Sequence, residues 1–490
     1  MDPDVIKTIN TLFNPRNVAI YRASEKLDYF LIGLKEQNFN PEKVYLINSS
    51  KDSLFGFKCF KSISDIPEPT IDLLILAVAR DNINESLKNL VSKKKIKTIH
   101  IFTAGMGESD DLGKEIEKEI MQILQNNGIR AIGPNCMGVY SPNGNLAYEP
   151  LLPTEPGNIS FVFQSGDLHS QTIRIGARRY NLRYSKGVSV GNCVDLQISD
   201  FLEYYNQDED TEIIGVYFEG FSKLHPHEGR NFFNTLKYMN KPVLFMNGGK
   251  TERAQIAVLT HTGSLGSNKK IWNAIVKQTP IIEVPTSMDD MIDYIYLFNN
   301  YINRFKKLGK DFKEIKYPKG KNVLLTLWSG GFGIIDTNII TELGLNVPYF
   351  EGESLQKLRD IYPIKIGSLN NPLDMPWISR SQIYLDVVTT AIAEDIDLAI
   401  IETDVWEDEL EAEHFNRYYN NILKIKEYTE DLDKILILVL PQYPSRYRKK
   451  YLNKLIKDGF IVYPSVRRAA KSFLALYEYG RKTKFLDKKK

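Results

Sequence analysis

A chain of 490 residues exceeds what one hydrophobic core serves, and at roughly 150 residues per domain it predicts about three. Its 43% hydrophobic and 25% charged residues exclude a disordered chain. The 63 basic and 61 acidic residues leave a net charge of +2, too small an excess to bind nucleic acid by counterion release.

Cys59, Cys136 and Cys193 are far apart and show no CxxC spacing, so neither a disulfide framework nor a zinc site is expected, and no metal ligand set is assigned. Met1-Asp2-Pro3-Asp4 lacks the basic start of a secretory leader, and no apolar run approaches the roughly 20 residues that span a bilayer. The expectation is a cytoplasmic protein with no membrane contact. The closing Lys488-Lys489-Lys490 reads as a solvated tail.

Taken in chain order, continuous aliphatic and β-branched runs at 17–21, 44–48, 72–79 and 98–103 alternate with amphipathic stretches. Strands buried on both faces read this way, so the pattern predicts βαβ units and a doubly wound parallel sheet over 1–150. The turn-rich 141–144 and the segment 153–158 mark a boundary, and a fresh strand begins at 159–163. Further strands at 213–218, 242–246 and 281–284 and an apolar, aromatic stretch at 288–297 complete a second domain, 151–305. The lysine-rich 306–321, with Pro318-Lys319-Gly320, reads as a linker. A third α/β unit, 318–482, has strands at 322–327, 398–402, 435–440 and 461–463 and a helix over 410–428.

Glycines gather where strands should end: Gln164-Ser165-Gly166, Val190-Gly191-Asn192, Asn247-Gly248-Gly249 and Ser329-Gly330-Gly331-Phe332-Gly333. Without a Cβ, backbone N–H groups can approach an anion at a helix N-terminus, although any α/β fold needs some such turns. His261 is the sharper signal. It sits in Thr260-His261-Thr262-Gly263-Ser264, read as a loop of small and hydroxylated residues that leaves an imidazole nitrogen accessible to phosphate.

Gly133-Pro134-Asn135-Cys136-Met137-Gly138, Gln164-Ser165-Gly166, Ser189-Val190-Gly191-Asn192, Glu219-Gly220 and the His261 run, in this order, resemble the ADP-forming acyl-CoA synthetases, relatives of the succinyl-CoA synthetase α subunit. Ser329-Gly330-Gly331-Phe332-Gly333 and Asn371-Pro372-Leu373-Asp374 extend the resemblance into the third unit. It implies an α/β architecture: an N-terminal Rossmann-like CoA-binding domain followed by two flavodoxin-like domains. It implies conversion of acyl-CoA, phosphate and ADP into carboxylate, CoA and ATP through a phosphohistidine.

By the same resemblance His261 is the phosphoryl carrier and Glu219 the carboxylate that fixes its ring. Gln164, Ser165, Gly166, Gly263 and Ser264 would hold phosphate. Coenzyme A would meet Ser24, Asn48, Val78, Ala79, Thr103, Ala104 and Gly105, with Asn135 and Cys136 near its thiol. The ATP-grasp portion of the family has no counterpart here, so the expected partner is a separate ATP-grasp β subunit carrying ADP or ATP with Mg2+, in a hetero-oligomer acting on a small acyl-CoA or carboxylate.

Three positions depart from the family pattern: Arg22 stands at a first-turn glycine, Asn247 at a lysine, and Asp167 at a small or apolar residue. They motivate an alternative, a non-catalytic or diverged CoA-binding subunit of a larger assembly. A nicotinamide oxidoreductase is disfavoured because no GxGxxG follows the first strand.

Overall fold

The computed structural model describes residues 3–24, 26, 28–262, 269–285, 287–363, 367–405, 413–441 and 445–487, apart from the side chains of 259–262, 414 and 485–487. Among these residues the strands build three sheets. The chain divides into two compact units, Met1–Ile292 and Asp293–Lys490.

In the first sheet the order is Ser53–Leu54, Phe57–Phe60, Val44–Ile47, Val18–Tyr21, Thr70–Leu76, Lys95–Ile101, Arg130–Ile132. All neighbours are parallel except the short hairpin of the first two. The apolar run of Val18–Tyr21 is buried because it pairs on one side with Val44–Ile47 and on the other with Thr70–Leu76. Strand order therefore reverses there, and a crevice opens beyond its carboxyl end.

The second sheet runs Ile282–Val284, Val243–Asn247, Ile213–Phe218, Pro156–Phe163, Tyr184–Ser189, Gly138–Tyr140, parallel except for the last strand. Its switch point lies beyond Phe163, between Tyr184–Ser189 and Ile213–Phe218. Gly138–Tyr140 precedes the expected boundary at 153–158, yet it pairs antiparallel with Gly187–Ser189. Sheet membership thus crosses that boundary.

The second unit holds a parallel sheet in the order Leu373–Asp374, Val323–Leu327, Leu398–Glu402, Ile435–Val439, Val462–Tyr463. The stretch read as the end of domain two, and the start of the expected linker, form one helix, Met288–Lys307. From Asp293 onward it belongs to the C-terminal unit. Tyr296 donates its hydroxyl to the Phe460 carbonyl at 3.2 Å, and Tyr463 donates to the Asp293 carbonyl at 2.7 Å. Arg468 makes a two-point ion pair with the buried Asp293. Tyr294, Leu297, Phe298, Tyr301 and Phe305 are buried along it, which is why a sequence rich in aromatics continues as helix past 305. No helix among the described residues is long and apolar enough to cross a membrane.

Two histidines are sealed in the first unit. His100 bonds through Nε2 to the Cys136 carbonyl at 3.0 Å, and His169 through Nδ1 to the Tyr148 hydroxyl at 2.5 Å. Burial lowers their pKa values to about 4 and about 3. Both rings are neutral when folded and bind a proton more readily when unfolded, so their contribution is full above pH 6.5 and is lost as pH falls. With a slope that approaches about 1.4 kcal/mol per pH unit for each ring, stability is expected to drop by about 3 kcal/mol between pH 6.5 and 5. Urea unfolding of the full chain at both pH values checks this, and His169→Phe should reduce the slope.

Candidate active site

The crevice of the first sheet collects the residues expected to meet CoA. Arg22 opens the turn after Val18–Tyr21 with φ of 57°, the left-handed conformation that favours glycine. The turn geometry is thus kept without the glycine, at about 1 kcal/mol of backbone strain. Ser24 follows, half-buried. Asn48 braces the turn: its Nδ2 donates to the Ala23 carbonyl at 2.8 Å, while its Oδ1 accepts from the Ser50 and Lys51 amides.

Across the switch point, the Thr103 hydroxyl donates to the Val78 carbonyl at 2.8 Å and accepts from the Val78 amide at 3.3 Å. Ala79 and Ala104 are exposed, and Gly105 has φ of 82°. The Gly105 carbonyl accepts from Arg80 and its amide donates to Glu108. Asn48 and Thr103 therefore hold the crevice in shape with their side chains, rather than offering those groups to a ligand.

Asn135 also lies in the left-handed region, with φ of 58°, and its amide donates to the Thr103 carbonyl at 2.9 Å. Cys136 is buried, its Sγ directed at the Ile101 carbonyl, and burial pushes the thiol pKa well up. It packs as a small hydrophobe.

At the switch point of the second sheet, Ser165 caps the helix Gly166–Tyr180, its Oγ accepting from the Leu168 amide. The first amides of a helix have no intrahelical acceptor, so Gly166 and Asp167 present donors there. A Cβ on Gly166 would lie 2.2 Å from Met137 Cγ, so only glycine brings this helix start so close to the 133–138 turn. Asp167 is exposed in the first turn, where the helix dipole favours its charge.

Gln164 is 4% exposed and both ends of its carboxamide are engaged. Oε1 accepts from the amides of Glu219 at 2.5 Å and Gly220 at 3.1 Å, while Nε2 donates to the Gly220 carbonyl at 2.9 Å. The structure thus moves Gln164 from phosphate ligand to brace of the Glu219 turn, because a buried carboxamide must satisfy its donors and acceptor within the protein. Glu219 itself is buried, and burial together with its carboxylate raises the Tyr217 pKa.

Tyr217 was not foreseen, although residues two apart on a strand end share a face. Gly248 supplies the room: a Cβ there would lie 2.8 Å from the Tyr217 oxygen. Asn247, in place of the family lysine, folds back to accept from the Gly249 amide at 3.0 Å.

His261 differs from expectation in its backbone. Within the run read as a loop, residues 260–262 continue the helix Glu252–Thr262, carried on from the helix-forming 252–259. Gly263 and Ser264 lie outside the described residues.

In the C-terminal unit, Ser329 precedes the helix Gly330–Glu342, and Asn371 ties the strand Val323–Leu327 through the Leu325 amide and the Val323 carbonyl. A cavity of about 400 Å3 is lined by Ser329, Gly330, Thr337, Ser368 and Asp374. Among the described residues no cluster of His, Cys, Asp and Glu is arranged to hold a metal ion.

Comparison with known proteins agrees with this layout. Residues 156–298 match the succinyl-CoA ligase like flavodoxin domain, and 32–142 match a CoA binding domain. The α subunit of acetate–CoA ligase [ADP-forming] II from Pyrococcus furiosus is 29% identical over 482 residues, covering 96% of this chain and 98% of that protein. The α subunit of isozyme I from the same organism is 28% identical over 490 residues, covering 97% and 98%. In fold, the chain resembles the acetyl-coenzyme A synthetase 1 of Ca. Korarchaeum cryptofilum solved with phosphate and ADP, with a TM-score of 0.79, 24% identity and 98% of both chains covered. The chain carries a CoA binding domain and a succinyl-CoA ligase like flavodoxin domain, and it aligns along nearly its whole length with the separate α subunits of ADP-forming acetate–CoA ligases.

Proposed function

We propose that this chain is the CoA-handling α subunit of an ADP-forming acyl-CoA synthetase, an acid–thiol ligase working through a phosphohistidine at His261. The observation that carries the reading is the second-sheet switch point, where the Gly166–Tyr180 helix start and the braced, buried Glu219 stand together. A helix N-terminus offers phosphate its amides without a cation that competes for the phosphoryl group.

In the forward direction a phosphate oxygen attacks the thioester carbonyl. The C–S bond breaks, CoA departs as its thiol after taking a proton, and an acyl phosphate forms. A neutral His261 nitrogen then attacks phosphorus and the carboxylate leaves. Finally an ADP oxygen takes the phosphoryl group as the P–N bond breaks, giving ATP. The crevice beyond Val18–Tyr21 and Thr70–Leu76 receives CoA, with Ser24, Ala79, Ala104 and Gly105 exposed or half-exposed along it. Gly166 and Ser165, joined by Gly263 and Ser264, receive phosphate.

ADP and Mg2+ belong on an ATP-grasp β subunit, so the working form is a hetero-oligomer in the cytoplasm. Incubating the chain with that partner, acetyl-CoA, phosphate and ADP tests the reading by luciferase detection of ATP. Absence of ATP with acetyl-, propionyl- and aryl-acetyl-CoA alike would favour a diverged CoA-binding subunit.

Arg22 gives a two-sided prediction. Arg22→Gly relieves left-handed strain and should stabilise the fold by about 1 kcal/mol. The same change removes a guanidinium suited to phosphate and should weaken CoA binding about tenfold. Thermal unfolding and calorimetric titration with CoA read the two effects separately.

A further inference from the structure

We infer that Asn192 and Glu117 are positioning residues for the acyl-transfer step, fixing Asn135 beside the thioester; the inference rests on the proposed function. Asn192 is 6% exposed and Glu117 is 8% exposed. Asn192 Nδ2 donates to Glu117 Oε1 at 2.8 Å and to Glu108 Oε2 at 2.6 Å. Its Oδ1 accepts from Asn135 Nδ2 at 3.5 Å, and its backbone amide donates to the Pro134 carbonyl at 3.0 Å. Glu108 reaches onward, accepting from the Gly105 amide at 2.7 Å.

One carboxamide therefore ties together three turns: 105–108 at the end of the first sheet, 134–135 near the expected thiol end of CoA, and 190–193 at the end of the second sheet. Two glycines exist for this contact. A Cβ on Gly107 would lie 2.4 Å from Glu117 Oε2, and one on Gly191 would lie 2.2 Å from the Pro134 carbonyl oxygen. Gly191 also has φ of 55°. Asn135 is held in the left-handed region and its carboxamide meets Asn192 through this bond, so the direction of that carboxamide follows from Asn192.

The consequence is kinetic. A thioester misplaced by about 1 Å relative to the attacking phosphate costs up to about 100-fold in rate, with little change in binding of the distant nucleotide end of CoA. Asn192→Ala should lower kcat for CoA release from acetyl-CoA in the presence of phosphate and ADP by about 30-fold and leave KM for acetyl-CoA within about threefold. Glu117→Ala should lower kcat about tenfold, and Glu117→Gln, which keeps an acceptor for Asn192, should recover most of it.

The assay follows free thiol with a chromogenic disulfide, using full-length chain with its partner subunit, each rate divided by the folded fraction from circular dichroism. A kcat within twofold of wild type for Asn192→Ala, or a loss matched by the loss of folded protein, overturns the inference. Equal rates for Glu117→Gln and Glu117→Ala do so as well. If the wild-type complex itself releases no thiol, the proposed function fails and takes the inference with it, an outcome distinct from active wild type with unaffected variants.

Discussion

His261→Ala is expected to cut phosphoryl transfer by at least about 10⁴-fold while leaving CoA affinity within about twofold, because a missing nucleophile removes the covalent route but not the binding crevice. The six histidines of the chain are not equivalent. His100 and His169 are sealed in the core, and His225 spends Nε2 on the Val194 carbonyl. His227 occupies the cap of the helix Glu228–Lys237. His261, on a helix that starts just after the Gly248-Gly249 turn, is in the same compact unit as Glu219 and its braces. Incubation with acetyl-CoA and ³²P-phosphate, followed by acid and base treatment, distinguishes an acid-labile phosphohistidine from a phosphoester. Undiminished acid-labile label in His261→Ala would place the carrier elsewhere.

Glu219→Gln should lower the same rate by about 10²- to 10⁴-fold, the span seen when the group orienting a catalytic imidazole loses its charge. The side chain keeps its size, and the Glu219 and Gly220 amides still bond to Gln164. The fold is therefore expected to persist, and only stabilisation of the positive ring is lost. Steady-state rates together with quantitation of phosphohistidine measure this. A wild-type rate would reduce Glu219 to a structural role.

The sequence was most readable where burial is two-sided. Val18–Tyr21, Ile213–Phe218 and Ile435–Val439 are continuous apolar runs, and each forms within a residue of its expected place. Tyr184–Ser189 was not foreseen, because Ser185, Lys186 and Gly187 interrupt the apolar pattern. Lys186 is nevertheless buried, since Asp208 and Asp210 pair with its ammonium at 2.9 and 3.1 Å. That compensation lies more than twenty positions away and leaves no local trace.

The same holds for the site. Motif matching located Gln164, Asn48 and Thr103 at the right strand ends. Their tasks are set by partners 25 to 56 positions away, which only the folded chain brings within reach. The helical conformation at His261 was hidden in the sequence by its flanking threonines, residues of weak helix propensity that the preceding helix overrides.

The antiparallel strand Gly138–Tyr140 has a consequence for engineering. It is drawn from the CoA-side segment but completes the edge of the neighbouring sheet. Cutting the chain near 150 to remove its CoA-side module would strip that edge and expose the unpaired backbone of Tyr184–Ser189, an invitation to intermolecular pairing. A transplantable cassette must therefore keep 138–140 together with the second sheet, and chimaeras joined at 150 are expected to accumulate as aggregates instead of as enzymes with altered acyl-CoA preference.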